Sequence, residues 1–211
     1  MQQDIRATNR IAVTGRIEGE FSFSHRVYGE GFYSFFIRVP RLSEVCDLLP
    51  VTISERLIDE NTMHPGAEIT IKGQLRSYNT YSENRNHLIL SIFTKDVAYP
   101  DELSRNEPPN SVCLNGFICK PPLYRTTPLG REIADILLAV NRTYGKSDYI
   151  PLIAWGRNAL FSKNLAVGSN ILIEGRMQSR LYQKKFDNGE TAEKTAYEVS
   201  VSKMELLEKD F

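Results

Sequence analysis

Aromatic and basic side chains alternate between Asp148 and Lys185, and together they could bind single-stranded nucleic acid. Tyr149, Trp155 and Tyr182 lie there among arginines and lysines. Flat rings stack on any base, and cations contact the phosphates. Tyrosine and tryptophan also favour β-strands because they pack well on a sheet, so each ring taken alone could equally belong to the core.

Composition excludes several protein classes. Hydrophobic residues make up 41% of the 211 residues and charged residues 25%, which is typical of a folded globular protein. No apolar run is long enough to cross a membrane, and the first ten residues lack the apolar core of a signal peptide. The three cysteines form no CxxC pair, which favours a reduced, cytoplasmic setting.

The net charge of zero does not by itself indicate a nucleic-acid partner. Residues 1–105 carry 12 Lys and Arg against 14 Asp and Glu, a net charge of −2, and residues 106–211 carry 14 against 12, a net charge of +2. The sign favours the second half as the anion-binding half. No nucleotide-binding, hydrolase or metalloprotease motif is present, so we expect no enzymatic activity, no cofactor and no metal.

The chain contains two copies of one pattern. "NRIAVTGRI" at Asn9 matches "NSVCLNGFI" at Asn110, and "DLLPVTISER" matches "DYIPLIAWGR" at the same shift of 101. At a shift of 102, "PGAEITIKGQLRS" matches "VGSNILIEGRMQS". The repeat predicts domains at 1–100 and 112–211. The polar segment 101–111, which contains Pro108 and Pro109, is predicted to be the linker between them.

Each copy predicts three strands, a short helix and two further strands. In the second copy, "REIADILLAVNRTY" could be a strand or a helix, because its periodicity alone does not decide. Gly168 is expected to stop the helix, and "DNG" at 187–189 is expected to turn the last hairpin. That hairpin is expected to be six residues longer than its counterpart. Phe117, Ile136, Leu138 and Val140 are expected in the core. This order is that of an all-β, five-stranded Greek-key OB barrel, here in tandem.

The second copy resembles the bacterial single-stranded-DNA-binding proteins. "NGFICKPPLYRTTPLG" is similar to the first strand and loop of that family, and "LAVNRTY", "DYIPLIAWGR" and "GSNILIEGRMQSRLY" follow in family order. The resemblance implies stacking and phosphate-contacting roles for a defined set of residues. The stacking residues are Tyr144, Tyr149, Trp155 and Tyr182; the phosphate contacts are Arg125, Arg142, Arg157, Arg176, Arg180, Lys184 and Lys185.

The first copy lacks these rings. The four stacking positions hold Ser43, Leu48, Ser54 and Thr80. Tyr78 and Tyr81 could form a shifted, weaker surface with Arg76, or this barrel could be an architectural unit that binds its twin or another protein. The negative charge of this half favours the second alternative.

The resemblance therefore implies non-specific binding and protection of single-stranded DNA in replication, repair or recombination. Family members with two OB domains pair as homodimers that present four barrels, and replication or repair proteins are possible partners. We expect a cytoplasmic, nucleoid-associated protein with no membrane contact. The alternative is a primosome-type protein-interaction adaptor on an OB scaffold, and RNA cannot be separated from DNA by these features.

Overall fold

The structure, a computed structural model, describes residues 9–41, 43, 45–82, 85–100, 108–185, 189 and 191–207. Within these ranges no helix is long and apolar enough to cross a membrane. The side chains of residues 81, 82, 85, 86, 144 and 185 are outside the description. Of the predicted linker, residues 101–107 lie outside the described part of the chain.

The first half is a closed five-stranded barrel. Strand β1 pairs with β2 and β4, β2 pairs with β3, β4 pairs with β5, and a short parallel pairing of β3 with β5 closes the ring. A 3₁₀ turn at Glu55–Leu57 follows β3. The strands are β1 (Asn9–Val27), β2 (Glu30–Pro40), β3 (Cys46–Ser54), β4 (Glu68–Ser82) and β5 (Arg85–Ala98).

The second half repeats this barrel. Strand β6 pairs with β8 and β10, β8 with β9, β10 with β11, and the parallel pairing of β9 with β11 closes the ring. The strands are β6 (Asn110–Ile118), β7 (Leu123–Thr126), β8 (Glu132–Asn141), β9 (Ser147–Trp155), β10 (Asn170–Lys185) and β11 (Thr191–Leu206), with helix α1 (Arg157–Ser162) after β9. The tandem OB prediction is confirmed, and the ambiguous segment is strand β8.

Alternating apolar residues fill each barrel because successive side chains of a strand point to opposite faces. Ile136, Leu138 and Val140 of β8 are buried, as predicted. Phe117 of β6 is 38% exposed, so its assignment to the core was wrong. Its neighbours Gly116 and Ile118 lie on the other face of the strand, and a Cβ at Gly116 would approach the backbone oxygen of Ala139 to 2.4 Å. The barrel therefore bends tightly at this glycine.

Two local predictions need correction. Helix α1 ends at Ser162, well before Gly168, which instead adopts a positive φ of 85° in the turn before β10. In the last hairpin of the first barrel Leu75 pairs with Ile92, and in that of the second barrel the equivalent residue Met177 pairs with Val199. Ile92 and Val199 are therefore equivalent. That equivalence is a shift of 107, so the second hairpin is five residues longer and not six. Of its predicted turn, only Gly189 is described, with a φ of 87°.

The two barrels share one sheet. Residues 9–13 of β1 pair antiparallel with residues 110–114 of β6, so β6 begins inside the segment predicted as a linker. A further backbone bond runs from the Thr14 N–H to the Pro109 carbonyl, at 2.8 Å. Continuous pairing across this seam fixes the orientation of one barrel relative to the other.

Candidate nucleic-acid interface

Three of the four predicted stacking residues lie at the surface of the second barrel. Tyr149, Trp155 and Tyr182 are 45%, 39% and 38% exposed. Tyr149 and Trp155 occupy the two ends of β9, and their separation of six residues places them on one face, about 20 Å apart at the usual rise of a strand. The residues between them on the opposite face, such as Ile150 and Leu152, fill the core.

Tyr182 shares this outer face, as strand register shows. Ile153 of β9, Ser200 of β11 and Arg176 of β10 form one cross-strand row. Tyr182 lies six residues beyond Arg176 on the same side of β10, towards the end of the barrel where Tyr149 lies. The outer face of β9, β11 and β10 therefore carries all three rings.

Arg180 lies beside one of these rings. Its guanidinium carbon lies 6.0 Å from the centre of the Tyr182 ring, within the range of a cation–π contact. The same guanidinium is 3.3 Å from the carboxylate of Glu198, which also accepts a 2.9 Å bond from the Gln178 amide. Glu198 and Gln178 are buried, whereas the Arg180 side chain is half exposed.

Two other predicted phosphate contacts are held in the junction between the barrels. Arg142 donates two hydrogen bonds to the buried carboxylate of Asp148, which also accepts a 2.9 Å bond from Arg76 of the first barrel. Arg176 reaches across in the opposite direction and lies 3.2 Å from the buried carboxylate of Asp47. Each of the two guanidinium groups is therefore paired with a buried carboxylate.

These contacts are reciprocal. Asp47 pairs with Arg41 of its own barrel and accepts a 2.7 Å bond from the Ser179 N–H of the other. Asp148 accepts the corresponding 2.6 Å bond from the Ser77 N–H. Asp47 and Asp148 are equivalent by the shift of 101, so the halves meet as two copies do across a two-fold axis.

The electrostatics of the junction follow from burial and pairing. Burial raises the pKa of Asp148, but hydrogen bonds from Arg142, Ser77 and Arg76 outweigh it and hold that pKa below its usual value. The bond to Asp148 raises the pKa of Arg142. Burial lowers the pKa of Arg176, against the attraction of Asp47. The charged groups of the junction are thus paired with one another.

The remaining predicted residues are dispersed. Arg125 of β7 forms a half-exposed ion pair with Asp135, at 3.0 Å. Arg157, the first residue of α1, is exposed and has no ion pair within the described residues. Lys184 lies at the far end of β10. The side chains of Tyr144 and Lys185 lie outside the description, so their roles stay predictions.

Sequence reasoning missed the buried aspartates and their serine partners. A repeated signal was available, because Arg41 precedes Asp47 by six residues and Arg142 precedes Asp148 by the same interval. An arginine and an aspartate conserved in spacing between two copies indicate a shared contact more strongly than one copy alone.

The comparisons with known proteins agree with this architecture. Residues 109–207 match the single-strand binding protein family. The match covers the whole second barrel and none of the strands of the first. A single-stranded DNA-binding protein 1 of Staphylococcus aureus (strain COL) is 40% identical over 83 residues, which are 36% of this chain and 50% of the relative. Single-stranded DNA-binding protein A of Bacillus subtilis (strain 168) is 37% identical over 83 residues, 36% of this chain and 48% of the relative.

The chain thus spans about half the length of the curated relatives it matches. The whole chain is similar in fold to the wild-type single-stranded DNA binding protein from Thermus aquaticus, with a TM-score of 0.72 and 16% identity over 95% of this chain and 93% of that one. At this identity the likeness concerns the fold of both barrels together.

Proposed function

We propose that this protein binds single-stranded DNA without sequence preference and protects it during replication, repair or recombination. The observation that carries the proposal is the exposure of three aromatic rings on one outer face of the second barrel. A ring that only filled a core would be covered, whereas these three keep open surface on which bases can stack.

Within this proposal, Tyr149, Trp155 and Tyr182 stack bases, and the cations around them contact phosphates. Arg157 and Arg180 are the best placed, because one has no carboxylate partner among the described residues and the other is half exposed beside a ring. Arg125 can exchange its exposed aspartate for a phosphate. Arg142 and Arg176 act through the junction, since leaving a buried carboxylate unpaired would be unfavourable. Tyr144, Lys184 and Lys185 complete the proposed set.

We further propose that two chains pair as a homodimer presenting four barrels to DNA in the cytoplasm, with replication or repair proteins as further partners.

One observation favours the alternative function, an adaptor that binds a protein and little DNA: four of the predicted phosphate-contacting arginines are paired with carboxylates. RNA remains distinguishable only by experiment, because stacking and phosphate contacts are common to both nucleic acids.

Tryptophan fluorescence during titration with a dT oligomer tests the proposal, because Trp155 is the only tryptophan. We expect quenching on binding, and Trp155→Ala should weaken binding in a mobility-shift assay by about 1–3 kcal/mol. Phe161→Ala is the matched control, since Phe161 of α1 is exposed to a similar degree and is not among the predicted stacking residues. Absence of binding in both assays would overturn the proposal in favour of the adaptor. Competition with a U oligomer of equal length separates DNA from RNA.

A further inference from the structure

The outer face of the first barrel carries aromatic rings at positions where the second barrel has none. In the second barrel Trp155 of β9 lies opposite Ile133 of β8. In the first barrel the equivalent pair is Ser54 of β3 and Phe32 of β2. The ring is therefore present at the same level but on the neighbouring strand, about 5 Å to the side.

A second ring is displaced in the same way. The cross-strand row of Ile153 and Ser200 in the second barrel corresponds to Thr52 and Phe93 in the first. Phe93 thus stands on the outer face of β5, where the second barrel has a serine. The centres of Phe32 and Phe93 are 5.8 Å apart with an interplanar angle of 31°, so the two rings form one patch.

A histidine and an arginine extend the patch at its two ends. The His25 ring lies on Phe32 at 5.0 Å and nearly parallel, at 8°. Arg76 places its guanidinium carbon 5.8 Å from the centre of Phe93. The result is an ordered series of planar groups, His25, Phe32, Phe93 and Arg76, with His25 exposed and both phenylalanines half-buried.

This patch is continuous with the proposed site on the second barrel. Arg76 donates a 2.9 Å bond to Asp148, and the next residue of its strand, Ser77, accepts a 2.7 Å bond from the backbone N–H of Tyr149. A single strand that leaves Tyr149 would therefore meet Arg76 and then the rings of the first barrel. Of the acidic residues near this patch, Glu30 accepts a hydrogen bond from the Ser54 hydroxyl and lies 3.3 Å from Arg56.

We propose that the first barrel has a second, relocated base-stacking surface formed by His25, Phe32 and Phe93, which takes the same single-stranded nucleic acid as it passes from the second barrel. This inference rests on the proposed function. Stacking dominates at this surface, because the Arg76 guanidinium is already paired with Asp148. Binding here therefore adds affinity while adding little salt dependence.

Oligomer length tests the inference. Barrels of this type cover about 4–16 nucleotides each, so a dT oligomer of about 12 nucleotides occupies one barrel and one of about 32 nucleotides reaches both. We expect the double variant Phe32→Ala, Phe93→Ala to lose about tenfold or more in affinity for the long oligomer. Its affinity for the short oligomer and its log–log salt slope should not change.

Phe23→Ala is the matched control. Phe23 lies on the same hairpin and is exposed, but it packs edge-on against Tyr33 on the other face. Equal affinities of wild type and double variant for the long oligomer would overturn the inference and leave the patch to a protein partner. Wild-type protein that binds neither oligomer would instead refute the proposed function itself.

A second measurement needs no variant. A long oligomer carrying photoreactive 5-iodouracil is cross-linked to the unaltered protein, and the adducts are mapped by mass spectrometry. Adducts on peptides that contain His25, Phe32 or Phe93 support the second surface even if the double variant fails to fold. Adducts confined to peptides of the second barrel would overturn it.

Discussion

The hydroxyl oxygen of Ser77 accepts a 2.7 Å hydrogen bond from the backbone N–H of Tyr149. Ser77 belongs to the first barrel and Tyr149 to the second, so one barrel fixes the backbone that carries a proposed stacking ring of the other. The equivalent contact, from the Leu48 N–H to the Ser179 hydroxyl, is 3.3 Å long and leads to no aromatic ring. Equivalent hydrogen bonds in the junction thus position an aromatic ring in the second barrel and a leucine in the first.

This asymmetry predicts unequal effects of two equivalent substitutions. Ser77→Ala removes the acceptor of the Tyr149 N–H and should weaken binding of a dT oligomer severalfold. Ser77→Ala and Ser179→Ala should each lower the free energy of unfolding by about 1 kcal/mol, the usual contribution of one hydrogen bond. Ser179→Ala should have the smaller effect on binding of the oligomer. Fluorescence titration and thermal unfolding of both variants give the comparison.

A double-mutant cycle separates positioning from general destabilisation. If Ser77 acts through the ring, Ser77→Ala should have no further effect on binding in a Tyr149→Ala background. Additive losses of affinity would mean that Ser77 acts only on stability.

Arg180 and Arg142 are predicted to differ in their effect on salt dependence. Arg180 is half exposed beside Tyr182, so Arg180→Gln should reduce the log–log salt slope of single-strand binding by about 0.7. Arg142→Gln leaves the Asp148 carboxylate short of a partner and should destabilise the fold by about 3–5 kcal/mol, with the slope unchanged. Salt titrations of both proteins, with denaturant unfolding alongside, check this. An unchanged slope in Arg180→Gln would remove that residue from the phosphate contacts.

Acid is predicted to weaken the junction. The pKa of Asp148 is lower in the folded protein than in the unfolded chain, where it is about 3.9. Its contribution to stability is therefore full above that pH and is lost as the pH falls through the lower, folded pKa. Asp148→Asn should be less stable than wild type at neutral pH, and the difference should shrink at acid pH. Asp135→Asn, in a half-exposed pair, is the control and should change stability by about 0–1 kcal/mol.

Tyr182 is predicted to contribute separately from Tyr149. The two rings lie on different strands, so Tyr182→Ala should cost about 1–3 kcal/mol of binding whether or not Tyr149 is present. Leu181→Ala is a suitable control because Leu181 is exposed on the opposite face of β10. Equal losses in the two variants would indicate that the hairpin, and not the ring, determines affinity.

The sequence was sufficient to predict the barrels because their signals are local or repeated. Strand alternation and the glycine at the bend lie within short windows, and the second copy repeats both signals at a shift of about 101 residues. The exposure of Tyr149, Trp155 and Tyr182 followed from the family resemblance. The roles of Arg142 and Arg176 did not. Arg142 pairs with a buried aspartate six residues away and Arg176 with one 129 residues away, and an arginine in the sequence looks the same whether it faces such an aspartate or a phosphate.

The rings of the first barrel were missed for a related reason. Aligning the copies position by position shows Ser54 in place of Trp155 and indicates a lost platform. The displaced ring at Phe32 appears only when β2 and β3 are placed in register, which the alignment of one strand with its equivalent does not provide.

The seam between β1 and β6 also has a consequence for synthesis of the chain. Residues 9–13 leave the ribosome about 100 residues before their partner strand, an interval of roughly 5–20 s at usual rates of translation. During that interval β1 is an edge strand with open N–H and C=O groups, able to pair with the same strand of another nascent chain. Two proteins made on neighbouring ribosomes could then be linked through paired β1 strands, in place of the seam that each β1 forms with its own β6.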